Sequence, residues 1–411
     1  MDILPEKRPY LLKNRIQNYA WGTRGENAFI ARLLGIEPED GVPYAELWMG
    51  AHPKAPSEVI LDDSVISLRD FISLYPREIL GERILERFTG ELPFLFKVLS
   101  AAEPLSIQAH PNREQAQYLH EKDPEHYPDS NHKPELAIAL GPFTALVGFR
   151  SFDEILELLK RYPEIVSFVC GGAGSASEDI GKLPEVQSGM KGLFSALIKR
   201  SLSDPDYFQE QVEKLKKRLL DIPDPSEEES LFLELSEKYN DVGLFAFFFL
   251  NMVHLEKGEG IFIDAGVPHA YVRGNIIECM ANSDNVVRVG LTPKYKDAET
   301  LLKILTYEAG NLPLLKGKTE GAVTVYDVPA EEFRVTRYTF GKDKNVSISG
   351  SSSVEICLVM DGEIEFLWKE TSTTGSITFK KGDSFLIPAI LTSYELRSLC
   401  PAEIFKVDVP E

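Results

Sequence analysis

The segment LSIQAHPN, residues 105–112, decides how this chain folds, together with NHKPELAIAL, residues 131–140. In a β-strand, successive side chains point to opposite faces of the sheet. The apolar residues of the first segment alternate with Ser106, Gln108 and His110, so these three side chains share one face. The segment therefore predicts a strand that carries metal-ligand-type side chains on its polar face.

The second segment repeats this pattern and adds a carboxylate. Glu135 alternates with apolar residues, and Lys133 falls on the same side as Glu135. A third stretch, GVPHAY at residues 266–271, places His269 and Tyr271 on one face with the same period of two. The three stretches together predict strands that converge on one polar site.

Gln108, His110, Glu135 and His269 form a four-ligand set for a divalent metal. Two neutral imidazoles, one carboxylate and one amide oxygen suit zinc and leave room for water or substrate. Two histidines and a carboxylate would also suit ferrous iron, and each histidine alone would be an ordinary hydrogen-bonded strand residue. His52 lies in an isolated loop before a proline, GAHP, which favours a hydrogen-bonding role over a ligand role.

The totals describe a globular chain of 411 residues with a formal net charge of −20. That charge argues against nucleic acid or an anionic membrane as the main partner. The N-terminus has no long apolar segment, and the run LFAFFFL at residues 244–250 is too short to span a bilayer. The cysteines are scattered without a CxxC pair, which favours reduced thiols and a cytoplasmic protein: Cys170, Cys279, Cys357 and Cys400.

The patterning predicts a mainly β protein with an α-helical insert, built of two jelly-roll β-barrels plus a helical domain. The stretches LEKGEGIFIDAGVPHAY and FKKGDSFLIPAIL are similar in outline, which indicates a duplicated β-roll whose second copy, without histidine, is metal-free. The predicted boundaries are 1–150 for the first part of the catalytic β domain, 151–250 for the helical insert, 251–316 for the second part of the catalytic domain and 317–411 for the C-terminal roll.

Helical periodicity is confined to a few places. Residues 112–123 predict a helix with Asn112 as N-cap and Gln115 completing a capping box. Residues 64–90 predict two short helices separated at Pro76, and four to six helices are expected between residues 151 and 250.

Several charged residues lie within or beside apolar, strand-like stretches. Lys97 is a lone cation inside the apolar run FLFKVLS, so it needs a partner if its strand is buried. Glu278, Asp284, Arg288 and Lys294 fall within one predicted hairpin region. Arg288 alternates with two core-facing valines, which leaves open a fixed cation for an oxyanion or phosphate or an exposed, salt-bridged strand residue.

Six motifs together resemble the type I phosphomannose isomerases, a family of cupin-fold zinc enzymes. They occur in the family's order, as YAELWMGAHP, QAHPN, NHKPE, GVPHAY, ECMANSDNVVR and GLTPK, and the resemblance spans nearly the whole chain, including a helical insert and a C-terminal roll. The resemblance implies one zinc ion per chain, held by Gln108, His110, Glu135 and His269. It implies catalytic or pocket roles for Arg288, Glu278, Lys133 and Tyr271, and substrate or phosphate contacts for Lys97, Ser106, Lys294 and Asp284.

The resemblance also implies a reaction. Mannose 6-phosphate and fructose 6-phosphate would interconvert through a cis-enediol(ate), which connects glycolysis with GDP-mannose metabolism. The proton transfer between C2 and C1 needs a general base and an electrophile for the developing oxyanion. Glu278 is the leading candidate for the base, with Lys133 or a water on the metal as alternatives. The expected partner is a small sugar phosphate, the expected state a monomer.

Two other function classes remain open from the residues alone. A ferrous oxygenase would use the two histidines and the carboxylate, and metal analysis with an oxygen-uptake assay would distinguish it. A sugar-binding protein without turnover would keep the metal but leave Arg288 and Lys294 without a chemical role.

Overall fold

The computed structural model describes residues 5–171, 181, 183–310, 312–350, 352–369 and 374–411. Over these residues, three β-sheets of ten, nine and four strands combine with a helical segment, which comprises the described residues between 151 and 250. The predicted mainly β architecture with a helical insert is confirmed. In the same residues, no helix has both the length and the apolar character needed to cross a membrane.

The strands of the described residues are numbered in chain order. Those before the C-terminal part are β1 (Tyr10–Lys13), β2 (Arg15–Gln17), β3 (Glu46–Met49), β4 (Glu58–Ile60), β5 (Val65–Ser67), β6 (Phe94–Ala101), β7 (Ile107–Ala109), β8 (Glu135–Ala139), β9 (Phe143–Phe149), β10 (Leu250–Leu255), β11 (Gly260–Ile263), β12 (His269–Ala281) and β13 (Val287–Gly290). Those that follow are β14 (Lys318–Glu320), β15 (Val323–Tyr326), β16 (Arg334–Phe340), β17 (Asn345–Ser349), β18 (Glu355–Asp361), β19 (Glu363–Lys369), β20 (Thr374–Lys380), β21 (Ser384–Ile387), β22 (Ser393–Ser398) and β23 (Ala402–Asp408).

The α-helices cluster between β9 and β10. In chain order they are α1 (Phe29–Leu34), α2 (Leu68–Leu74), α3 (Pro76–Leu80), α4 (Glu82–Arg87), α5 (Arg113–Lys122), α6 (Phe152–Arg161), α7 (Pro163–Val169), α8 (Pro184–Gln187), α9 (Gly189–Ser203), α10 (Pro205–Leu220), α11 (Glu227–Ser236), α12 (Gly243–Ala246) and α13 (Ala298–Ile304). Short 3₁₀ turns occupy Gly25–Asn27 and Phe247–Phe249.

Strand β12 is the centre of the ten-stranded sheet. Its C-terminal half pairs with β6 and β8, while its N-terminal half pairs with β9 and touches β7. The register sets Glu278 opposite Lys97 and His269 opposite Gln108. Because neighbouring strands lie about 5 Å apart, these pairings bring side chains from distant parts of the sequence into contact.

The helical segment packs through an apolar core that the sheet also enters. The run at residues 244–250 is buried completely in this core and forms α12 and the following 3₁₀ turn. The described residues between 151 and 250 contain seven α-helices, α6 to α12, so the prediction of four to six was too low. Residues 172–180 and 182 of the predicted insert lie outside the described residues.

Local capping explains where several helices begin. The capping box between Asn112 and Gln115 is confirmed at the start of α5, and Ser151 with Glu154 forms another at α6. Residues 68–87 form three helices instead of the predicted two. The extra break comes at Gly81, whose φ of 87° is a conformation that ends a helix and that glycine adopts without steric cost.

The nine-stranded sheet joins the two ends of the chain. Its order is β14-β15-β16-β23-β18-β21-β1-β4-β5, so β1 lies between β21 and β4. The predicted boundaries stay a prediction, but this sheet takes strands from both the first predicted part and the C-terminal one. A four-stranded sheet, β17-β22-β19-β20, accompanies it in the C-terminal part.

Candidate metal centre and substrate pocket

The predicted ligands meet where β7, β8 and β12 begin or end. Ligand atoms of His110, Glu135 and His269 all lie within 4.8 Å of one another, and all three residues are buried. The Nε2 atoms of His110 and His269 each lie 3.3 Å from one oxygen of the Glu135 carboxylate. Gln108 lies beside this group, with its amide Nε2 atom 3.4 Å from His269 Nε2.

Backbone carbonyls orient both imidazole rings. His110 Nδ1 lies 2.7 Å from the carbonyl oxygen of Asn285, and His269 Nδ1 lies 3.0 Å from that of Val267. A proton on each Nδ1 leaves the Nε2 lone pairs facing the carboxylate, which is how metal-bound histidines are held.

The donor set fits a divalent cation on its own geometry. Within the described residues, His110 Nε2 and Glu135 Oε2 are buried atoms without a hydrogen-bond partner. Buried polar atoms are normally satisfied, so a group of such atoms converging on one point indicates a missing cationic partner. Nitrogen and oxygen donors of this kind suit zinc.

Charge around the ligands keeps them in metal-binding protonation states. Burial, and after it the nearby Lys133 ammonium, lowers the pKa of His110 to about 4. Burial alone would raise the pKa of Glu135, but Lys133, whose Nζ is 2.9 Å from its carboxylate, and His110 hold that pKa well below its usual range. A neutral imidazole and an ionised carboxylate are the forms that bind a metal.

A cavity of about 380 Å³ opens beside this group. Its lining includes several of the predicted site residues: Lys97, Ser106, Gln108, Lys133, Asp284, Arg288 and Lys294. Glu135, His269 and Glu278 are buried behind the lining, and each contacts one of its residues. The strands thus bring the predicted metal, catalytic and substrate residues to one pocket.

Lys97 forms ion pairs with carboxylates, which are the partners that a buried ammonium requires. Its Nζ atom lies 2.8 Å from Glu278 and 3.7 Å from Glu46, and 5.3 Å from the centre of the Trp48 ring. Its pKa is raised, because the two carboxylates outweigh the burial of the ammonium. Lys97 therefore neutralises buried carboxylates, and its predicted contact with substrate stays a prediction.

Glu278 and Tyr271 share this buried environment. Burial raises the pKa of Glu278, and the nearby Glu135 and Glu46 carboxylates raise it further while Lys97 opposes them. Burial also raises the pKa of Tyr271 well above its usual value, with Glu278 as the next cause. A carboxyl group with a raised pKa is suited to accept and return a proton near neutral pH.

The residues predicted to contact the substrate phosphate differ in whether a carboxylate already pairs with them. Among the described residues, no carboxylate pairs with Arg288 or Lys294, whereas the other two cations of the pocket, Lys97 and Lys133, each form an ion pair. Burial lowers the pKa of both residues, and for Lys294 the Arg288 guanidinium adds to the effect. Two cations without an ion-paired carboxylate among the described residues make this pocket a candidate anion site within a chain of net charge −20.

Asp284 lines the pocket but is already engaged. Its carboxylate lies 3.3 Å from His52 Nε2 and 2.7 Å from Lys54 Nζ. Burial opposes ionisation, yet these two partners hold the pKa of Asp284 well below its usual range. The prediction that His52 is a hydrogen-bonding residue is confirmed, while a substrate contact by Asp284 stays a prediction.

Sequence reasoning did not identify Glu46 or Tyr239 as residues of the pocket. Glu46 is buried beside Lys97 and also accepts a hydrogen bond from the Trp48 indole. Its alternation with Trp48 on β3 was visible in the sequence and could have identified it. Tyr239 comes from the helical segment and also lines the cavity, and no local pattern in the sequence marks it.

The Lys97 cluster leads to a stability prediction. Lys97→Met removes the ammonium and leaves Glu278 and Glu46 buried without it, so we expect a loss of about 3–5 kcal/mol in the free energy of unfolding. Urea-induced unfolding measures this loss. The control Lys13→Met, at a side chain 68% exposed, should change it by less than about 1 kcal/mol. An effect at Lys97 no larger than the control would show that the pair does not stabilise the fold.

Comparisons with known proteins agree on one family. The model of the phosphomannose isomerase type I catalytic domain matches residues 10–152. Mannose-6-phosphate isomerase 2 of Arabidopsis thaliana is 37% identical over 91% of this chain and 87% of its own length. Mannose-6-phosphate isomerase of Macaca fascicularis is 38% identical over 93% of this chain and 94% of its own. A crystal structure of zinc-bound mannose 6-phosphate isomerase superposes with a TM-score of 0.84, at 33% identity over 98% of this chain and 100% of the other.

Proposed function

The chain belongs to the type I phosphomannose isomerase family, and from this premise we propose that it is a zinc-dependent isomerase of D-mannose 6-phosphate and D-fructose 6-phosphate. The observation that carries the proposal is the pairing of a buried His110–Glu135–His269 group with two uncompensated cations, Arg288 and Lys294, at one pocket. The hydroxyl and carbonyl oxygens of a sugar phosphate would bind a metal held by the buried group, and its phosphate would bind the two cations.

Gln108, His110, Glu135 and His269 would hold the zinc ion. When bound there, zinc supplies a Lewis acid that polarises substrate oxygens. The carbonyl oxygens behind both histidines keep their rings in place for this task, as described above.

The proton transfer between C2 and C1 needs a group that can take and return one proton. Glu278 is our first candidate for this base, because its raised pKa brings the carboxyl closer to the pH at which the enzyme would work. Lys133, whose amino group lines the cavity, would be an alternative base in its neutral form, because an ammonium cannot accept a proton. Lys97 would hold Glu278 in place through their ion pair, and Tyr271 would close the pocket behind Glu278.

The negative charges of the reaction would be met by the remaining residues. The guanidinium of Arg288, opposite Gln108 in the sheet, would stabilise the enediolate oxygen. Lys294 at the rim would bind the phosphate, and Ser106 would donate a hydrogen bond to it. Asp284 would contact a sugar hydroxyl from its ion-paired position.

We further propose a monomeric protein of the cytoplasm that acts on small sugar phosphates and does not bind nucleic acid. The scattered cysteines support the compartment, and the net charge of −20 supports the absence of a polyanionic partner. The flux it serves would connect glycolysis with GDP-mannose metabolism.

A single assay tests both reaction and metal. Turnover of mannose 6-phosphate, coupled to detection of fructose 6-phosphate, is measured before and after chelation and after zinc is added back. We expect activity to disappear with the chelator and to return with zinc. Turnover that is indifferent to chelation would reject the zinc mechanism, and a folded, zinc-loaded protein without turnover would reject the isomerase.

A further inference from the structure

Asp241, in the helical segment just before α12, binds the loop that follows β13. One oxygen of its carboxylate accepts hydrogen bonds from the backbone N–H groups of Gly243 at 2.9 Å and Leu291 at 2.8 Å. The other oxygen accepts from the N–H of Thr292 at 3.2 Å and from Lys296 Nζ at 3.0 Å. Three of the four donors belong to the loop, so one side chain of the helical segment anchors it.

The loop needs such an anchor because its first residue is strained. Leu291 has a φ of 57°, a left-handed conformation that a branched side chain rarely adopts. The bond from its N–H to Asp241 and the burial of its side chain hold it there.

The helical segment also approaches the end of β13 very closely. A Cβ atom at Gly290 would lie 2.4 Å from the backbone nitrogen of Gly243, and one at Gly243 would lie 2.5 Å from that of Leu291. Only glycine allows this approach at both positions. The contact is therefore one of backbone against backbone, which makes the helical segment a fixed support at this point.

The far side of the loop is held as well. The ring of Tyr295 stacks on His126 with centroids 3.8 Å apart, and Tyr127 donates a hydrogen bond to Asp297. Between these anchors, Lys294 lies 5.7 Å from the centre of the Tyr19 ring and lines the pocket. The loop is thus fixed at both ends around the one cation that it presents to the cavity.

We infer that Asp241 is a positioning residue, which fixes the loop of residues 291–296 so that Lys294 meets the phosphate of the substrate. The inference rests on the proposed function for the identity of the ligand. The inference gives the helical segment a role at the pocket. Tyr239, two positions before Asp241, supports this role because it also lines the cavity.

Asp241→Asn tests the inference. The amide keeps one acceptor for Leu291 but turns a donor toward the N–H of Thr292 and the ammonium of Lys296. The loop therefore loses the hydrogen bonds of Thr292 and Lys296 to this side chain. We expect the KM for mannose 6-phosphate to rise about tenfold with little change in kcat and unchanged zinc content. The matched control is Asp221→Asn, at the exposed end of α10, which should leave KM unchanged.

A double-mutant cycle with Lys294→Ala separates positioning from a general loss of structure. If Asp241 acts through Lys294, Asp241→Asn should raise KM much less when Lys294 is already absent. Full additivity of the two changes would overturn the inference, as would a lowered melting temperature with KM unchanged.

Calorimetric binding of inorganic phosphate to the zinc-loaded protein makes the test independent of turnover. We expect Asp241→Asn to weaken phosphate binding about tenfold relative to wild type and to Asp221→Asn. An enzyme without turnover whose phosphate binding still falls in this way would reject the isomerase and keep the positioning role. Phosphate binding that is equal in Asp241→Asn and wild type would reject the positioning role.

Discussion

Glu135→Ala is expected to remove zinc and turnover together. The carboxylate lies between the two imidazoles, 3.3 Å from each, so its loss takes away the anionic member of the ligand set. Without a polarising metal we expect turnover to fall by a factor of about 10³ or more. Zinc content per chain by elemental analysis and steady-state turnover are measured on the same preparation.

The same change leaves the Lys133 ammonium buried without its partner, so loss of folding has to be separated from loss of metal. His269→Ala serves as a second variant, because it removes a ligand without removing a charge. Glu365→Ala, on β19 of the four-stranded sheet, is the control and should keep both zinc and activity. A folded Glu135→Ala protein with full zinc and full turnover would eliminate this group as the metal centre.

Arg288→Ala is expected to keep zinc and to lose turnover. Arg288 is half-buried on β13 opposite Gln108, with no carboxylate partner among the described residues, so its charge is free for the substrate. Removal of one donor to a developing oxyanion typically costs a factor of about 10²–10³ in kcat. We expect a loss of that size in kcat, measured with zinc content on the same sample.

Arg288→Lys is the informative companion. It keeps a positive charge but loses the planar fork of donors, so we expect turnover between that of Arg288→Ala and wild type. Turnover near wild type in Arg288→Ala would remove this residue from the mechanism. Loss of zinc in Arg288→Ala would instead assign it to support of the neighbouring ligand Gln108.

The sequence by itself predicted the group of candidate metal ligands. The direction of a strand side chain depends only on its position within the strand, so the period of two in LSIQAHPN predicted that Gln108 and His110 share one face, although β7 itself ends at Ala109. The start of α5 was also predictable, because the capping box between Asn112 and Gln115 is made within four residues.

Local patterns failed where an element is too short to show a period. Helices α8 and α12 have four residues each, about one turn, so periodicity could not reveal them and the number of helices was predicted too low. The break at Gly81 depends on a backbone conformation that the letter Gly permits but does not require.

Only the tertiary structure decided which charges are free. Lys97 and Glu278 are 181 residues apart in the chain, and the register of β6 against β12 makes them an ion pair. Asp284 meets His52 and Lys54 in the same way, and among the residues that the structure describes Arg288 and Lys294 are the pocket cations without an ion-paired carboxylate. Contacts of this kind depend on how distant segments pack, and a single sequence carries no local signal for them.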